Sequence, residues 1–273
     1  MPQTVYEFLC IFMIYAFLGW CTEVSYAALD LGKFVNRGFL NGPYCPIYGF
    51  GVLIVIGVLT PLKENLLILF AGSFLLTSVL EYLTGWLLEK VFHNKWWDYS
   101  DIPFHINGYV CLKFSVLWGL ACSFIMLVLH PLIYKFILIF PNSVGAVLLI
   151  VFLSAFLIDC IFTVSTILKF NRHLKLIDEV AGKLKGISNE IGENIYENVV
   201  DVIEKREMIE QRKAEYEKLI ERHKELLETR ILGQERLLKA FPGMKSLDYN
   251  ESLQKLREHV KEWIKTRKNK RED

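Results

Sequence analysis

The sequence predicts an all-α, polytopic membrane protein with five transmembrane helices and a long cytoplasmic helical tail. Hydrophobic residues make up 53% of the 273 residues, more than is usual in a soluble domain of this length. Of the 61 charged residues, 17 precede Arg172 and 44 follow from there on. We therefore expect a membrane domain over residues 1–170 and a water-exposed tail over residues 171–273. The net charge of +1 gives no indication of nucleic-acid binding.

Five apolar segments are long enough to cross a bilayer, which takes about 20 helical residues. The first is not preceded by a positive region or followed by a small-residue cleavage site, so we expect a retained span. The fourth is long enough to tilt or break at His130-Pro131, because proline removes a helix hydrogen bond. The predicted spans are residues 4–29, 44–62, 65–91, 108–140 and 143–170.

Lysine and arginine residues beside the spans predict the orientation, because they favour the cytoplasmic side. If the tail is cytoplasmic, five spans place the N-terminus outside. The outer side then holds only Lys63 and Lys135. The inner side holds eight basic residues: Lys33, Arg37, Lys90, Lys95, Lys113, Lys169, Arg172 and Lys175.

Two segments of the membrane domain share a pattern at a fixed offset. Gly19-Trp20-x-x-Glu23, followed by Asn41-Gly42-x-x-Cys45, matches Gly85-Trp86-x-x-Glu89, followed by Asn107-Gly108-x-x-Cys111. Each matched position lies 66 residues further along the chain. Self-similarity of this kind indicates an internal repeat, here of two helices. The predicted topology gives both copies the same direction across the membrane.

The repeated glutamates are the first candidates for a functional site. A carboxylate inside a span is costly and usually faces a partner, a cavity or a cation. The glycine lets another helix approach, and the tryptophan shares the face of the glutamate. We therefore predict a substrate or ion site between the repeats, formed by Glu23, Glu89, Asn41, Asn107, Trp20 and Trp86. The alternative is a pair of hydrogen-bonded carboxylates that only fix helix packing.

Two further intramembrane acids, Glu81 and Asp159, have no acidic counterpart in the repeat. Either could carry a coupling proton or cation, or could be a polar tie between helices. A loop between the third and fourth spans contains Trp96, Trp97 and Tyr99, which are typical of an aromatic belt at the membrane surface.

The Asn-Gly-x-x-Cys segments lie where spans begin, so we predict Asn41 and Asn107 as helix N-caps. A helix N-terminus lowers the pKa of a thiol, which makes Cys45 and Cys111 candidates for reactive thiols. The alternative is that they are small buried hydrophobes. A metal site of these cysteines with Glu23 and Glu89 is disfavoured, and we predict neither a metal nor a cofactor.

The tail has apolar residues at three- and four-residue spacings over residues 176–240, with charges elsewhere. This pattern predicts an amphipathic helix or coiled coil, about 100 Å long if unbroken. Phe241-Pro242-Gly243 ends it, and a short helix follows over residues 250–266. A homodimer through the coiled coil is one expected use of the tail.

Several of these segments resemble one known family. The run from Arg37 to Gly49, Arg-Gly-Phe-Leu-Asn-Gly-Pro-Tyr-Cys-Pro-Ile-Tyr-Gly, is similar to the bacterial membrane proteins called "Putative ABC-transporter type IV", or CmpB-like. The Gly-Trp-x-x-Glu helix and Trp97-Asp-Tyr followed by Asn107-Gly add to the resemblance, which covers residues 5–165. The tail segment Leu238–Ser246 is also similar to tails of that family. The resemblance implies a transporter permease component in the bacterial cytoplasmic membrane.

The sequence contains no phosphate-binding loop of the Gly-x-x-x-x-Gly-Lys-Ser/Thr type and no hydrolase motif. ATP-driven transport would therefore need a separate ATPase subunit, and an enzymatic role for the chain itself is disfavoured. Two other functions remain open. One is a membrane-anchored scaffold or sensor that works through its tail. The other is a membrane enzyme that acts on lipid headgroups with Cys45 or His105.

Overall fold

The computed structural model describes residues 2–197 and 204–272. Helices dominate this part of the chain, and loops and four two-residue strands connect them. The prediction of an all-α fold is confirmed. The helices are α1 (Val5–Leu31), α2 (Pro46–Leu59), α3 (Leu66–Phe92), α4 (Leu112–Phe124), α5 (His130–Ile139), α6 (Asn142–Glu197), α7 (Glu204–Glu228), α8 (Gln234–Ala240) and α9 (Asn250–Glu272). The strands are β1 (Asn94–Lys95), β2 (His105–Ile106), β3 (Val110–Cys111) and β4 (Lys245–Ser246). Strands β2 and β3 pair antiparallel.

Among the described residues, four helical segments are long and apolar enough to cross a membrane, so the prediction of a multi-pass membrane protein is confirmed. They are Val5–Asp30, Leu66–Phe92, Leu112–Ile139 and Ser143–Glu190. The predicted count of five is not confirmed, because the apolar segment Pro46–Leu62 is shorter. Its α-helical part, α2, has 14 residues, about 21 Å at 1.5 Å per residue.

The predicted break at His130-Pro131 takes another form. The chain stays helical, but Ile125–Leu129 form a π-helical segment between α4 and α5. Proline cannot donate a backbone hydrogen bond and its ring clashes with the carbonyl four residues before it. A π segment just before Pro131 accommodates both effects without a break.

Helix α2 begins beside the middle of α1. The backbone N–H of Cys45 donates to the carbonyl of Ala16 at 2.9 Å. The connection after Gly32 therefore runs back along α1 before α2 starts. The core here is formed by buried residues of α1, α2, α3 and the α4–α5 helix, including Ile11, Tyr15, Val52, Val55, Ile56, Leu59, Leu69, Cys122 and Met126.

The chain forms two compact units. The first contains the residues up to Ser165 and a returning segment of the tail, Arg236–Lys245. The second contains the described residues of Thr166–Glu235 and those from Ser246 onward. Helix α6 belongs to both units, because it continues past Ser165 to Glu197.

The tail is not one long helix. In the second unit, Arg212 of α7 forms an ion pair with Glu190 of α6 at 3.3 Å, and His173 of α6 interacts with the backbone of Leu226 in α7. These pairs show that α7 runs antiparallel to α6, and α9 packs against α7. Residues 176–240 therefore do not form one unbroken helix, since α7 ends at Glu228 and α8 begins at Gln234. A coiled coil between copies is not shown.

In the aromatic loop between α3 and α4, Trp96 packs inside the protein. Trp96 is only 4% exposed. Its ring contacts the rings of Phe39, Phe92 and Phe241, with centroids 5.2, 6.1 and 4.9 Å away. Two of these partners are distant in sequence, Phe39 in the loop between α1 and α2 and Phe241 in the tail, so the sequence pattern could not indicate them.

Candidate functional site

Glu23 of α1 has a specific partner in Tyr48 of α2. The tyrosine hydroxyl donates to Glu23 Oε1 at 2.6 Å. The ring of Tyr48 packs directly against Gly19, one helical turn before Glu23. A Cβ at this position would overlap ring atoms of Tyr48. The glycine of the first Gly-Trp-x-x-Glu segment thus allows a tyrosine to reach the glutamate.

Glu81 of α3 lies in a similar environment. Tyr99 donates its hydroxyl to Glu81 Oε1 at 3.2 Å, and the side chain of Trp118 is a second donor to this carboxylate. The other carboxylate oxygen is shielded from solvent. Burial, together with the nearby Glu81 carboxylate, raises the pKa of Tyr99, which keeps the phenol protonated as a donor.

The two acids share one aromatic group. The ring of Tyr48 meets the ring of Trp118 edge-on, with centroids 5.7 Å apart. Glu23, Tyr48, Trp118, Glu81 and Tyr99 therefore form a continuous set of contacts, which we call the acid–aromatic cluster. It draws on α1, α2, α3, α4 and the loop before α4, and so it links the predicted repeats.

The second Gly-Trp-x-x-Glu segment uses the same local arrangement with a different tyrosine. The ring of Tyr109 packs against Gly85, since a Cβ there would lie 2.9 Å from a ring carbon of Tyr109. The Tyr109 hydroxyl interacts with Glu89, and burial followed by this carboxylate raises the pKa of Tyr109 to about 12. Trp86 points outward and is 44% exposed.

Asn41 and Asp159 are brought together, although they lie 118 residues apart. Asp159 Oδ1 accepts from the backbone N–H and the side-chain amide of Asn41 at 3.3 and 3.0 Å. Asp159 Oδ2 accepts from the backbone N–H of Gly42 at 2.7 Å. The Asn41 amide also donates to Thr163 at 2.9 Å. Asp159 therefore fixes the Asn-Gly turn in the loop between α1 and α2, here called the first loop.

Arg236 binds the same loop through its carbonyl groups. Its Nη1 donates to the carbonyls of Gly38 and Leu40 at 2.9 and 3.0 Å, and its Nη2 donates to that of Phe39 at 3.1 Å. Burial lowers the pKa of Arg236, and the charge of Asp159 opposes this. Sequence reasoning missed Arg236, because no spacing or motif links it to a loop almost 200 residues earlier.

Trp20 also holds the first loop. Its indole N–H donates to Asn36 Oδ1 at 2.8 Å, and the amide of Asn36 donates to the carbonyl of Asn41 at 2.7 Å. Trp20 thus acts on the Asn-Gly turn through Asn36.

The loop between α3 and α4, here called the second loop, has a different set of contacts. Asn107 donates its side-chain amide to the hydroxyl of Tyr82 at 3.0 Å. Asn107 and Gly108 have φ values of 52° and 71°, a left-handed turn that suits asparagine and glycine. The backbone N–H of Gly108 lies 3.3 Å from His105 Nδ1.

Asp98 forms an ionic centre in the second loop. It pairs with Lys245 at 2.7 Å and with Lys95 at 3.2 Å, and it accepts from the hydroxyl of Ser100 at 2.5 Å. Burial alone would raise the pKa of Asp98, but hydrogen bonds from Lys245, Ser100 and Lys95 hold it well below its usual range.

The prediction that Asn41 and Asn107 are helix N-caps is wrong. The caps are Cys45 for α2 and Cys111 for α4, and neither makes a side-chain cap hydrogen bond. Both thiols are buried, at 4% and 1% exposure. Burial, followed by the charge of Glu23, raises the pKa of Cys45 to about 12, the opposite of the lowering expected at a helix N-terminus.

The structure thus separates residues that the sequence grouped. Glu23 lies in the acid–aromatic cluster with Glu81, whereas Glu89, Asn41 and Asn107 have other partners. Within residues 2–197 and 204–272, no three or more His, Cys, Asp or Glu residues are grouped to hold a metal ion.

Long apolar helices and hydrogen-bonded acids within them define a helical multi-pass membrane protein. The model of a family described as "Putative ABC-transporter type IV" matches residues 10–164, more than half of the chain. The chain therefore belongs to this family, and the resemblance seen in its sequence is confirmed. Comparison with curated proteins and with solved structures finds no match.

Proposed function

We propose that this chain is the membrane-spanning permease subunit of an ABC-type transporter and works with a separate ATPase. Membership of the transporter family supports the class, and the proposal assigns ATP hydrolysis to another chain, since the given sequence carries no phosphate-loop motif. A bacterial cytoplasmic membrane, an outside N-terminus and a cytoplasmic tail belong to the same proposal, which requires the shorter apolar segment Pro46–Leu62 to cross the membrane as a fifth span.

The acid–aromatic cluster is the proposed substrate or ion site. The observation that carries this assignment is that Glu23 and Glu81, acids of two separate helices, reach one Tyr–Trp–Tyr group. Carboxylates inside a membrane domain are costly and mark ion or substrate paths. Carboxylates beside aromatic rings suit a cation, and tyrosine hydroxyls can pass a proton to or from them. The Glu89–Tyr109 pair would be the unequal counterpart in the second repeat.

Capture of the ATPase tests the transporter assignment. The tagged full-length chain would be purified from its own membranes in mild detergent and assayed for ATP hydrolysis sensitive to vanadate. We expect hydrolysis that follows the tagged chain through a sizing column. A stable, monodisperse preparation that shows no ATP hydrolysis would refute the proposed partner.

The site is tested in the same complex with Glu81→Gln. Glutamine keeps the size of the side chain but cannot carry charge, so we expect ATP hydrolysis to change by about tenfold while the ATPase stays bound, corresponding to about 1.4 kcal/mol. Glu64→Gln, at an exposed position before α3, is the matched control and should leave the rate unchanged. Equal rates in both variants would remove Glu81 from the site.

A scaffold or sensor role is the second candidate. The observation in its favour is that α6 passes from an apolar span into the tail unit as one helix, which would carry motion between them. Removal of residues 246–273 separates the two functions. A scaffold would lose its cytosolic partner, whereas a permease would keep ATP hydrolysis above the background of a vanadate-treated sample.

A further inference from the structure

We infer that the tail segment Arg236–Lys245, here called the strap, holds both loops that lead to the acid–aromatic cluster, with Arg236 as a positioning residue. Through the strap, the tail would control the candidate site. The part that concerns control rests on the proposed function, whereas the positioning of the loops does not.

Arg236 forms the first contact of the strap. Three consecutive carbonyls, of Gly38, Phe39 and Leu40, converge on one guanidinium. Carbonyl oxygens that converge on one point repel one another, and a cation with several N–H donors offsets this repulsion with charge-assisted hydrogen bonds. A planar guanidinium with several donors is suited to this arrangement, whereas a lysine offers only a point charge.

Asp159 holds the next residues of the same loop with the opposite charge. Its carboxylate accepts the backbone N–H groups of Asn41 and Gly42. The loop thus has its carbonyls on a cation and its N–H groups on an anion. Removal of either charge would leave aligned backbone dipoles without a partner.

The first loop leads directly to Glu23. The backbone N–H of Phe39 donates to the thiol sulfur of Cys45, and the carbonyl of Cys45 accepts from the N–H of Tyr48 at 3.1 Å. Tyr48 is the hydrogen-bond donor to Glu23. Phe39 links the two contacts: its carbonyl accepts from Arg236, and its N–H donates to the thiol of Cys45.

The other end of the strap contacts the second loop. Lys245 pairs with Asp98 at 2.7 Å, and the ring of Phe241 packs on Trp96 with centroids 4.9 Å apart. Asp98 immediately precedes Tyr99, the donor to Glu81. The strap therefore contacts the residues that precede each of the two tyrosine donors.

Both ends of the strap continue into the second unit, at Glu235 and at Ser246. A change in the tail that displaced the strap would act on both loops together. This differs from ordinary packing, which would stabilise the fold without a selective effect on the cluster.

Native cysteines report the position of the first loop. In Arg236→Gln we expect N-ethylmaleimide to modify Cys45 at least about tenfold faster, since a lost charge-assisted hydrogen bond is of order 1.5 kcal/mol. Cys122, buried in the core of the first unit, is the internal reference, and peptide mass spectrometry separates the two sites. Arg222→Gln, an exposed arginine of α7, is the matched control and should leave both rates unchanged.

A milder pair of variants keeps the test valid if Arg236→Gln does not fold. Arg236→Lys keeps the charge without the planar fork and should give a Cys45 rate between those of the native chain and Arg236→Gln. Lys245→Gln should accelerate hydrogen exchange in the peptide that contains Tyr99. Unchanged Cys45 modification in folded Arg236 variants would overturn the inference, and so would equal acceleration at Cys45 and Cys122.

Control of the site is measured by ATP hydrolysis in the captured complex. We expect Arg236→Gln to change the rate at least about threefold without loss of the ATPase, corresponding to about 0.7 kcal/mol. Faster Cys45 modification with an unchanged rate would refute control by the strap. If the native complex has no ATP hydrolysis, the proposed function fails, but the cysteine experiment still decides whether the strap positions the loop.

Discussion

Replacement of Asp159 by asparagine should release the first loop without unfolding the membrane domain. Asp159 accepts three hydrogen bonds from Asn41 and Gly42 and one from Thr163 at 3.3 Å. Asparagine has nearly the same shape, but its NH2 group replaces one acceptor and would face backbone donors. It can keep the contact to either residue, but not to both.

The expected loss follows from these contacts. A hydrogen bond to a charged group contributes about 1.5–3 kcal/mol. With at least one such bond lost and the charge of the remaining acceptor removed, we expect about 3 kcal/mol for opening of the loop. Since 1.4 kcal/mol is a factor of ten, this corresponds to about a hundredfold in the opening equilibrium. The charge of Asp159 also supports Arg236, so its removal weakens the strap.

Hydrogen exchange of the detergent-solubilised chain measures this opening directly. The peptide that contains Asn41 and Gly42 should lose about a hundredfold of its protection, whereas peptides of α3 should exchange as in the native chain. Asp30→Asn, an exposed acid at the end of α1, is the matched control. A change below about twofold in Asp159→Asn would refute the account of the loop.

Three further perturbations test single contacts. Tyr48→Phe removes a donor to a carboxylate and should lower the free energy of unfolding by about 1.5–3 kcal/mol in thermal denaturation, whereas Tyr26→Phe at an exposed site should have no effect. Gly19→Ala places a methyl group into the ring of Tyr48 and should cost about 1–3 kcal/mol, but Gly57→Ala, which meets open space, should be neutral or stabilising. Burial lowers the pKa of His223, so the folded tail favours the neutral imidazole. The free energy of unfolding of the tail should therefore be highest above the unfolded histidine pKa of about 6.5 and should fall as the pH drops through it. Hydrogen exchange of tail peptides measures this dependence. The same pH dependence in a His223→Gln variant would contradict the assignment to His223.

Much of the membrane domain could be predicted from the sequence, because apolar helices leave a direct signal in composition. The third predicted span, residues 65–91, differs by one residue at each end from α3, and Asn65 caps it as a side-chain acceptor. Glu23, Glu81 and Asp159 stand out as acids in apolar segments. A contrary case is α2, whose apolar run continues past the end of the regular helix into a short 3₁₀ turn at Thr60–Leu62.

The partners of these acids could not be predicted. Tyr48 and Tyr109 serve equivalent glutamates from positions that do not match at the 66-residue offset, so the repeat pattern points to neither. Arg236 reaches its carbonyls from the tail, where charge is common and carries little information. The pKa of the Cys45 thiol could not be predicted either: burial and the charge of Glu23 raise it, and the lowering by the backbone hydrogen bond from Phe39 is smaller.

The central claim is that Glu23 and Glu81 act in one site through shared aromatic groups. A double-mutant cycle of Glu23→Gln and Glu81→Gln, read as ATP hydrolysis by the captured complex in lipid nanodiscs, tests it most directly. If the acids form one site, each single variant should change the rate by about tenfold and the double variant by about the same factor. Two single effects that multiply in the double variant would show independent sites and contradict the account.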